Sequence, residues 1–299
     1  MIRTPPSLSV LLVLTAGLLP GCAVGERDVA ADGSGLGEVS PAAIRVVDAA
    51  GAELTLAGPA RRVVSLVPSA TETLHAMRAQ NVLVGRTDFD TARWAAHLPS
   101  VGGGIQPNLE ALVALRPDLV IRFAGEQDPR TPGRLDALGI PHLAVRPDRV
   151  EDIYDTAQLL GSATGHVREA DSLVAEIREG LASIVERVRR LPRIRVAYVL
   201  AGSPPWVVGP GTYIDQVVSM AGGDNVFSDL GALYSAVSPE ELRAREVEVV
   251  LISSDGQYDR TLTPDARLER VPSALELPGP GVVQAAERLT ELLHGRSLR

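Results

Sequence analysis

The longest regular pattern in the chain runs from His166 to Leu191. Val167, Ala170, Leu173, Val174, Ile177, Leu181, Ile184, Val185, Val188 and Leu191 recur at spacings of three and four residues. Charged side chains fill the opposite face, and Pro192 forbids continuation. The pattern predicts a helix of roughly 39 Å at 1.5 Å per residue. A segment on either side reads the same way. Leu109 to Ile121 and Pro239 to Leu251 each describe a short helix, a turn and a buried strand, with Glu110 matching Glu240, Leu112 matching Leu242, Ala114 matching Ala244 and Val120 matching Val250. Such a match is either a weak internal repeat or chance. As a repeat, it makes the long helix a strut between two similar lobes.

The remaining pattern alternates strand with helix. Ile44–Asp48 and Glu53–Leu56 flank a glycine turn and predict a hairpin. Arg62–Val67 is a short apolar strand. Ser69–Glu72 is a capping box that would open a helix with Leu74, Met77 and Ala76 inward. Strands follow at Val82–Val84, Leu119–Ile121 and His142–Val145, with helices from Asn108, from Thr131 and over Val150–Leu160. Thr87–Gln106 is a long irregular stretch carrying Phe89, Trp94, His97 and Gly102–Gly104. After the strut come a strand at Arg195–Leu200, a turn-rich loop through Trp206 to Gly211, a helix at Tyr213–Met220, a capping box at Ser238–Glu241 and a strand at Val249–Ile252. Val282–Leu293 is an amphipathic helix. Alternation of this kind predicts an α/β fold with a parallel sheet in each lobe, covered by helices on both faces.

Composition removes several function classes. The net charge of −8 argues against nucleic acid as a partner. All 29 basic residues are arginine. One cysteine rules out an intramolecular disulfide and a cysteine-rich metal site. The five histidines, His75, His97, His142, His166 and His294, show no i, i+4 pair, so no metal site is predicted. No nucleophile elbow, His-Glu-x-x-His or phosphate loop is present, so no catalytic residue and no cofactor is assigned. Gly33–Gly37 has phosphate-loop-like glycines but no flanking strand or helix.

The single cysteine has a suggestive position. Arg3 is followed by an apolar run, Leu8–Leu19, the right length for a signal-peptide core and short for a membrane span. Leu19-Pro-Gly-Cys22 comes next and resembles the lipobox of bacterial lipoproteins, although Pro20 is an unusual residue there. The alternatives are a cleaved signal or an uncleaved anchor with an incidental thiol. The expected organisation is a lipoprotein signal peptide at 1–22, a Gly/Ala/Ser-rich tether at 23–42, a first lobe at 43–165, the backbone helix at 166–191 and a second lobe at 192–299. The expected location is the periplasm or cell exterior, with attachment to the membrane through lipid on Cys22 alone.

Three stretches together carry a family resemblance. Arg62–Leu74, Asn108–Glu110 with Arg116–Val120, and Gly211–Asp215 with Ala221–Val226 and Val237–Leu242 resemble the motifs of helical-backbone substrate-binding proteins of ABC importers, and among them the cobalamin-binding members. The resemblance implies two lobes joined by one long helix with a cleft between them. It implies a corrinoid or iron-chelate ligand (cobalamin, or a ferric siderophore or haem) and a dimeric ABC permease as partner. A ligand receptor or an enzyme on the same fold, without an importer, is the alternative of another class. The family usually has a further helix and strand before the terminal helix. Ser253–Pro280 is short and broken by Pro264, Pro272, Pro278 and Pro280, so the second lobe either lacks an element or holds it irregularly.

The cleft is expected at the carboxyl ends of the strands. Its predicted lining is Phe89, Gly102, Gly103, Gly104, Trp206 and Tyr234, flat surfaces that suit a planar ligand. The competing reading of Phe89 and Trp206 is that each anchors its own loop. His97 either ligates haem iron or is simply solvated. Glu110 and Glu240 sit in the first turn of equivalent helices, where a carboxylate also interacts favourably with the helix dipole. The resemblance makes them the two permease-docking residues, one on each rim.

Overall fold

The computed structural model describes residues 43–125, 128–253, 256–271 and 273–295. The leader, the tether and Cys22 lie outside the described residues. Strands β1 (Ile44–Val47) and β2 (Glu53–Leu56) form the expected antiparallel hairpin. The Asp48 carboxylate accepts the amides of Ala50 and Ala52 and, at 2.8 Å, that of Ala144. One buried acid therefore closes the hairpin and ties it to the first sheet.

That sheet is β3 (Val63–Ser65), β4 (Leu83–Gly85), β5 (Leu119–Phe123) and β6 (His142–Val145), all parallel, in the order β4-β3-β5-β6. Its helices are α1 (Pro68–Ala76), α2 (Leu109–Ala114), α3 (Thr131–Ala137) and α4 (Val150–Thr164). Two expectations fail in α1. The helix starts at Pro68, with Val67 as an N-cap that makes no side-chain bond, so Ser69 lies inside the first turn and forms no capping box. Proline is well placed there because its missing N–H has no partner to lose. Ala76 is exposed, while Leu74 and Met77 are buried.

Helix α5 is Val167–Val188, shorter than the expected span His166–Leu191 only at its ends. Its 22 residues reach roughly 33 Å. Leu191 falls beyond it, and Val167 and Val185 are exposed. The other stripe residues of α5 are buried, and those from Ala170 to Ile184 join apolar side chains of both halves of the chain in one continuous cluster, from Val63, Ile121 and Leu143 to Val196, Tyr198 and Leu251. Close approach is secured by glycine. A Cβ on Gly180 would lie 2.7 Å from Val283 Cγ1, and one on Gly161 would lie 2.5 Å from Ala170 Cβ.

The second sheet contains β7 (Ile194–Ala201), β8 (Trp206–Val208), β9 (Gly223–Asn225), β10 (Tyr234–Ala236), β11 (Val249–Ser253) and β12 (Arg267–Val271). β9, β7, β11 and β12 are parallel, and β8 and β10 add an antiparallel ribbon to the far end of β7. Helices α6 (Tyr213–Met220), α7 (Pro239–Arg243) and α8 (Val282–His294) cover it. The 253–280 region therefore does supply its strand. β12 pairs in parallel with β11, and a 3₁₀ turn at Arg260–Leu262 precedes it. An edge strand buries little, which is why β12 can be as charged as Arg267-Leu-Glu-Arg-Val271.

The two matched segments correspond in atomic detail. Asn108 and Ser238 each accept the amide three residues on, at 3.1 Å. Arg116 (φ 45°) and Glu246 (φ 49°) take the same left-handed turn. Asp118 accepts the amides of Arg61 and Arg62, and Glu248 accepts that of Arg195. The Arg62 guanidinium then caps the carbonyls of Leu115 (2.6 Å) and Arg116 (3.0 Å), while that of Arg195 caps those of Arg245 and Glu246. A cation at the carbonyl end of a helix satisfies orphan acceptors and opposes the dipole. The Ser238 box is only half made, because the Glu241 carboxylate pairs with Arg245 at 3.3 Å.

α8 ends on a titratable contact. Buried His294 places Nε2 3.1 Å from the Ala221 carbonyl oxygen and lies against Gly222, which has φ +83°. Burial lowers its pKa against the raising effect of the Ala221 bond, with Arg193 and Arg267 adding to the lowering. The folded state thus favours neutral imidazole. Its contribution is complete above the unfolded pKa of about 6.5 and is lost as pH falls through that value toward the lowered folded one. Urea unfolding should show stability declining from pH 7 to pH 5, with a smaller decline in His294→Gln. An identical decline in the variant would assign the pH dependence to other groups.

Candidate ligand cleft

The carboxyl ends of β5 and β6 open on a cavity of about 390 Å³ lined by Ile105, Phe123, Arg146, Asp148 and Pro278, with Ala124, Gly125, Asp128 and Pro147 between them. Phe123 is the last residue of β5 and is 39% exposed. Arg146 Nε and Asp148 Oδ2 are 3.3 Å apart, so the one arginine of this wall is paired. Burial works to raise the pKa of Asp128, but hydrogen bonds from Thr131 and the Gln106 amide outweigh it and hold the carboxyl below its usual range.

Below the cavity the two halves are stitched together. The Asp148 carbonyl accepts the Tyr213 amide at 2.8 Å, at the start of α6. Gln216 accepts the Val150 amide at 2.8 Å and donates to Glu151 at 3.2 Å. Gly279 rests against Ser69 of α1: a Cβ there would lie 3.4 Å from Ser69 Cβ.

None of the six residues expected to line the cleft lines this cavity itself. Two of them adjoin it. Gly104 is buried and has no room for a side chain, since a Cβ would collide with the Leu66 carbonyl oxygen and stand 3.6 Å from Phe123 Cε2. Its glycine serves backbone approach beneath the Phe123 ring. Tyr234 lies near Asp148. Burial first, and then that carboxylate, raises its pKa. Trp206 and Tyr234 share one face of the β8–β10 ribbon, because Trp206 pairs with Ala236, two residues from Tyr234. Both rings are part-exposed.

Phe89 is held by a fixed turn. The Thr87 amide and hydroxyl donate to Asp90 at 2.8 and 2.6 Å, and the Phe89 amide donates to Thr87 Oγ1 at 3.2 Å. The Asp88 amide donates to the Gly102 carbonyl at 2.9 Å, and Ser100 bridges Asp88 and the Gly102 amide. This network binds the Phe89 turn to the half-buried Gly102–Gly103 stretch. Yet the Phe89 ring is 70% exposed. It does not anchor its loop; the buried Thr87–Asp90 pair does. The neighbouring His97 is exposed and places Nδ1 2.9 Å from the Trp94 carbonyl oxygen.

Ile105, Phe123, Arg146, Asp148 and Pro278 were not visible from the sequence. Phe123 was hidden because the apolar run Leu119–Ile121 ends before it, at Arg122, while the strand continues. Pro278 falls in a stretch that reads only as broken. Among the described residues no group of three His, Cys, Asp or Glu could hold a metal ion. No helix of the described residues is long and apolar enough to cross a membrane.

Glu110 and Glu240 are both exposed, in the first turns of α2 and α7. Each helix is capped by its Asn or Ser and clamped by its arginine.

The sequence matches the family described as periplasmic binding protein over residues 63–274. A protein of Yersinia pestis named vitamin B12-binding protein is 30% identical over 202 residues, covering 67% of this chain and 72% of that one. Among solved structures, the periplasmic vitamin B12-binding protein of Vibrio cholerae superposes with a TM-score of 0.69 at 24% identity, covering 79% of this chain and 97% of that one. A periplasmic haem-binding protein from Roseiflexus sp. RS-1 gives 0.67 at 24% identity, covering 80% and 99%.

The turn makes a sharp expectation for stability. Thr87→Val leaves the buried Asp90 short of a partner and should cost about 1–3 kcal/mol in urea unfolding. Phe89→Ala should change stability by no more than about 0.5 kcal/mol. A large loss in Phe89→Ala would make that ring a structural anchor after all.

Proposed function

Because the chain belongs to the periplasmic binding protein family, and is thus a substrate-binding protein and not an enzyme, we propose that it captures cobalamin outside the cytoplasm and delivers it to an ABC permease. The observation that carries the cobalamin reading is the charge balance of the cavity. Its lip is apolar, from Ile105 and Phe123, and its one arginine is paired with Asp148. Haem, with its two anionic propionates, would meet no uncompensated cation among these residues. A neutral corrinoid would leave the Arg146–Asp148 pair intact, and Asp128 would keep the hydrogen bonds of the Thr131 and Gln106 amides. The relative named for vitamin B12 binding supports the same choice. A corrinoid is larger than the 390 Å³ cavity, so part of it would lie outside, against Phe89 on one side and Trp206 and Tyr234 on the other.

Haem or ferric-siderophore binding by the same fold is the second reading, favoured by the similarity to the Roseiflexus protein's structure. Calorimetry with cyanocobalamin, haemin and a ferric hydroxamate separates the two. Cyanocobalamin should bind with sub-micromolar affinity and quench Trp206 fluorescence, and Phe89→Ala should weaken it about tenfold, equivalent to about 1.4 kcal/mol. Binding of haemin or the siderophore without cyanocobalamin would overturn the ligand and leave the fold untouched.

Delivery rests on Glu110 and Glu240, which we assign to the two subunits of a dimeric permease, each carboxylate meeting a basic side chain. Cys22 in Leu19-Pro-Gly-Cys22 is assigned as the lipidated residue that tethers the protein to the membrane. Glu110→Ala with Glu240→Ala should abolish transport while cyanocobalamin affinity stays at the wild-type value. Normal transport by the double variant would return both residues to the role of helix-dipole partners. If ligand binds but no transport occurs even with the wild-type chain and its permease, the protein is a surface receptor without an importer.

A further inference from the structure

Helices α2 and α7 have the same scaffold and different surfaces. Burial along 107–121 and 237–251 runs in step, departing only at half-buried Asp118 against exposed Glu248. The caps, the left-handed turns and the arginine clamps also correspond. One difference lies three positions after each glutamate. In α2 the residue there is Val113, and in α7 it is Arg243.

The consequences lie on the surface. Arg243 Nη1 sits 3.4 Å from Glu240 Oε1, so the second rim holds its own counter-charge, and Asp259 lies near the same arginine. Next to them Arg245 is paired with both Asp229 and Glu241. On the first rim no described basic side chain forms an ion pair with Glu110. Its carboxylate stands at the edge of a shallow apolar groove formed with Leu109, Val113, Ala114 and Leu138. Val113 is 42% exposed and Leu138 51% exposed, the latter just past the end of α3. An apolar groove with one unpaired carboxylate at its lip has a definite chemical complement. Arginine lays an aliphatic stem on apolar surface and gives a carboxylate two parallel N–H donors.

We propose that the two rims dock unequally on the permease: the groove at Glu110 is the anchor and takes an arginine of one permease subunit, whereas Arg243 restrains Glu240, so the second rim engages weakly. This rests on the docking role of the two glutamates proposed above. An arginine arriving at Glu240 must compete with Arg243, which stands where the first rim has Val113. The arrangement also leaves the first rim able to hold on its own while the second engages or releases.

The test uses the full chain and the ABC permease of the same cell, reconstituted in lipid nanodiscs, with the dissociation constant read by surface plasmon resonance. Glu110→Ala should weaken docking about tenfold and Glu240→Ala about twofold. Arg243→Ala should strengthen it, and Val113→Arg, which gives Glu110 the same i+3 partner, should weaken it nearly as much as Glu110→Ala. Thermal midpoints should stay at the wild-type value in all four, because each side chain is exposed. Equal losses from Glu110→Ala and Glu240→Ala, or weaker docking in Arg243→Ala, would overturn the inequality while keeping the docking reading. Wild-type docking by the double glutamate variant would sink the docking reading itself. If sedimentation shows that Val113→Arg instead dissociates a dimer of this chain, the groove is a self-contact and the proposal fails.

Discussion

Everything in this molecule hangs on the buried stripe of α5. Ala170, Leu173, Val174, Ile177, Leu181 and Ile184 take part in one apolar cluster with the strands of both sheets. Full burial of each large aliphatic side chain contributes about 1.5–3 kcal/mol. The stripe therefore couples the halves by an amount comparable with the net stability of a domain. It is supported by α4 on one side and by α6 and α8 on the other, at distances that Gly161 and Gly180 permit. A hinge of extended linkers would let the halves rotate. A packed helix of this length permits only small rocking, so the cleft is preset.

The second device is repetition. Arg62 immediately precedes β3, Arg195 is the second residue of β7, and each guanidinium reaches the carbonyl end of a short helix. Acidic partners, Asp118 and Glu248, hold the same strands from the other side. Two short helices, too short to persist alone, are thereby fixed in matching poses. Their difference at Val113 and Arg243 then acts on a shared backbone frame. The cleft works by a related logic: buried polar pairs such as Thr87–Asp90 fix the backbone so that an apolar ring can be left facing water.

Much of this was legible before any coordinates. The α5 stripe, the α/β alternation, the Asn108 cap and the Glu110–Glu240 correspondence all rest on period and local chemistry, which a sequence displays directly. What escaped was short or dependent on distant partners. β8, β9 and β10 have three residues each, too few to show alternation, and β9 is Gly223-Asp-Asn225. β12 is an edge strand whose charges disguise it. The Ser69 capping box was misread because Pro68 can start a helix as well as end a strand. In the cleft, Phe89 and Tyr234 were identifiable as aromatics in loops or near them. Arg146 and Asp148 meet Phe123 and Pro278 only through tertiary packing, which no local pattern encodes.

The preset cleft can be tested most directly by a distance across it. Ala114 and Ala244 occupy equivalent exposed positions at the ends of α2 and α7. With Cys22→Ser, spin labels on Ala114→Cys and Ala244→Cys report the separation of the two rims by pulsed electron paramagnetic resonance. A continuous core along α5 predicts one narrow distribution, displaced by no more than a few ångströms when cyanocobalamin is added. A broad or bimodal distribution in the free protein, collapsing to a much shorter distance with ligand, would contradict it and make α5 a hinge.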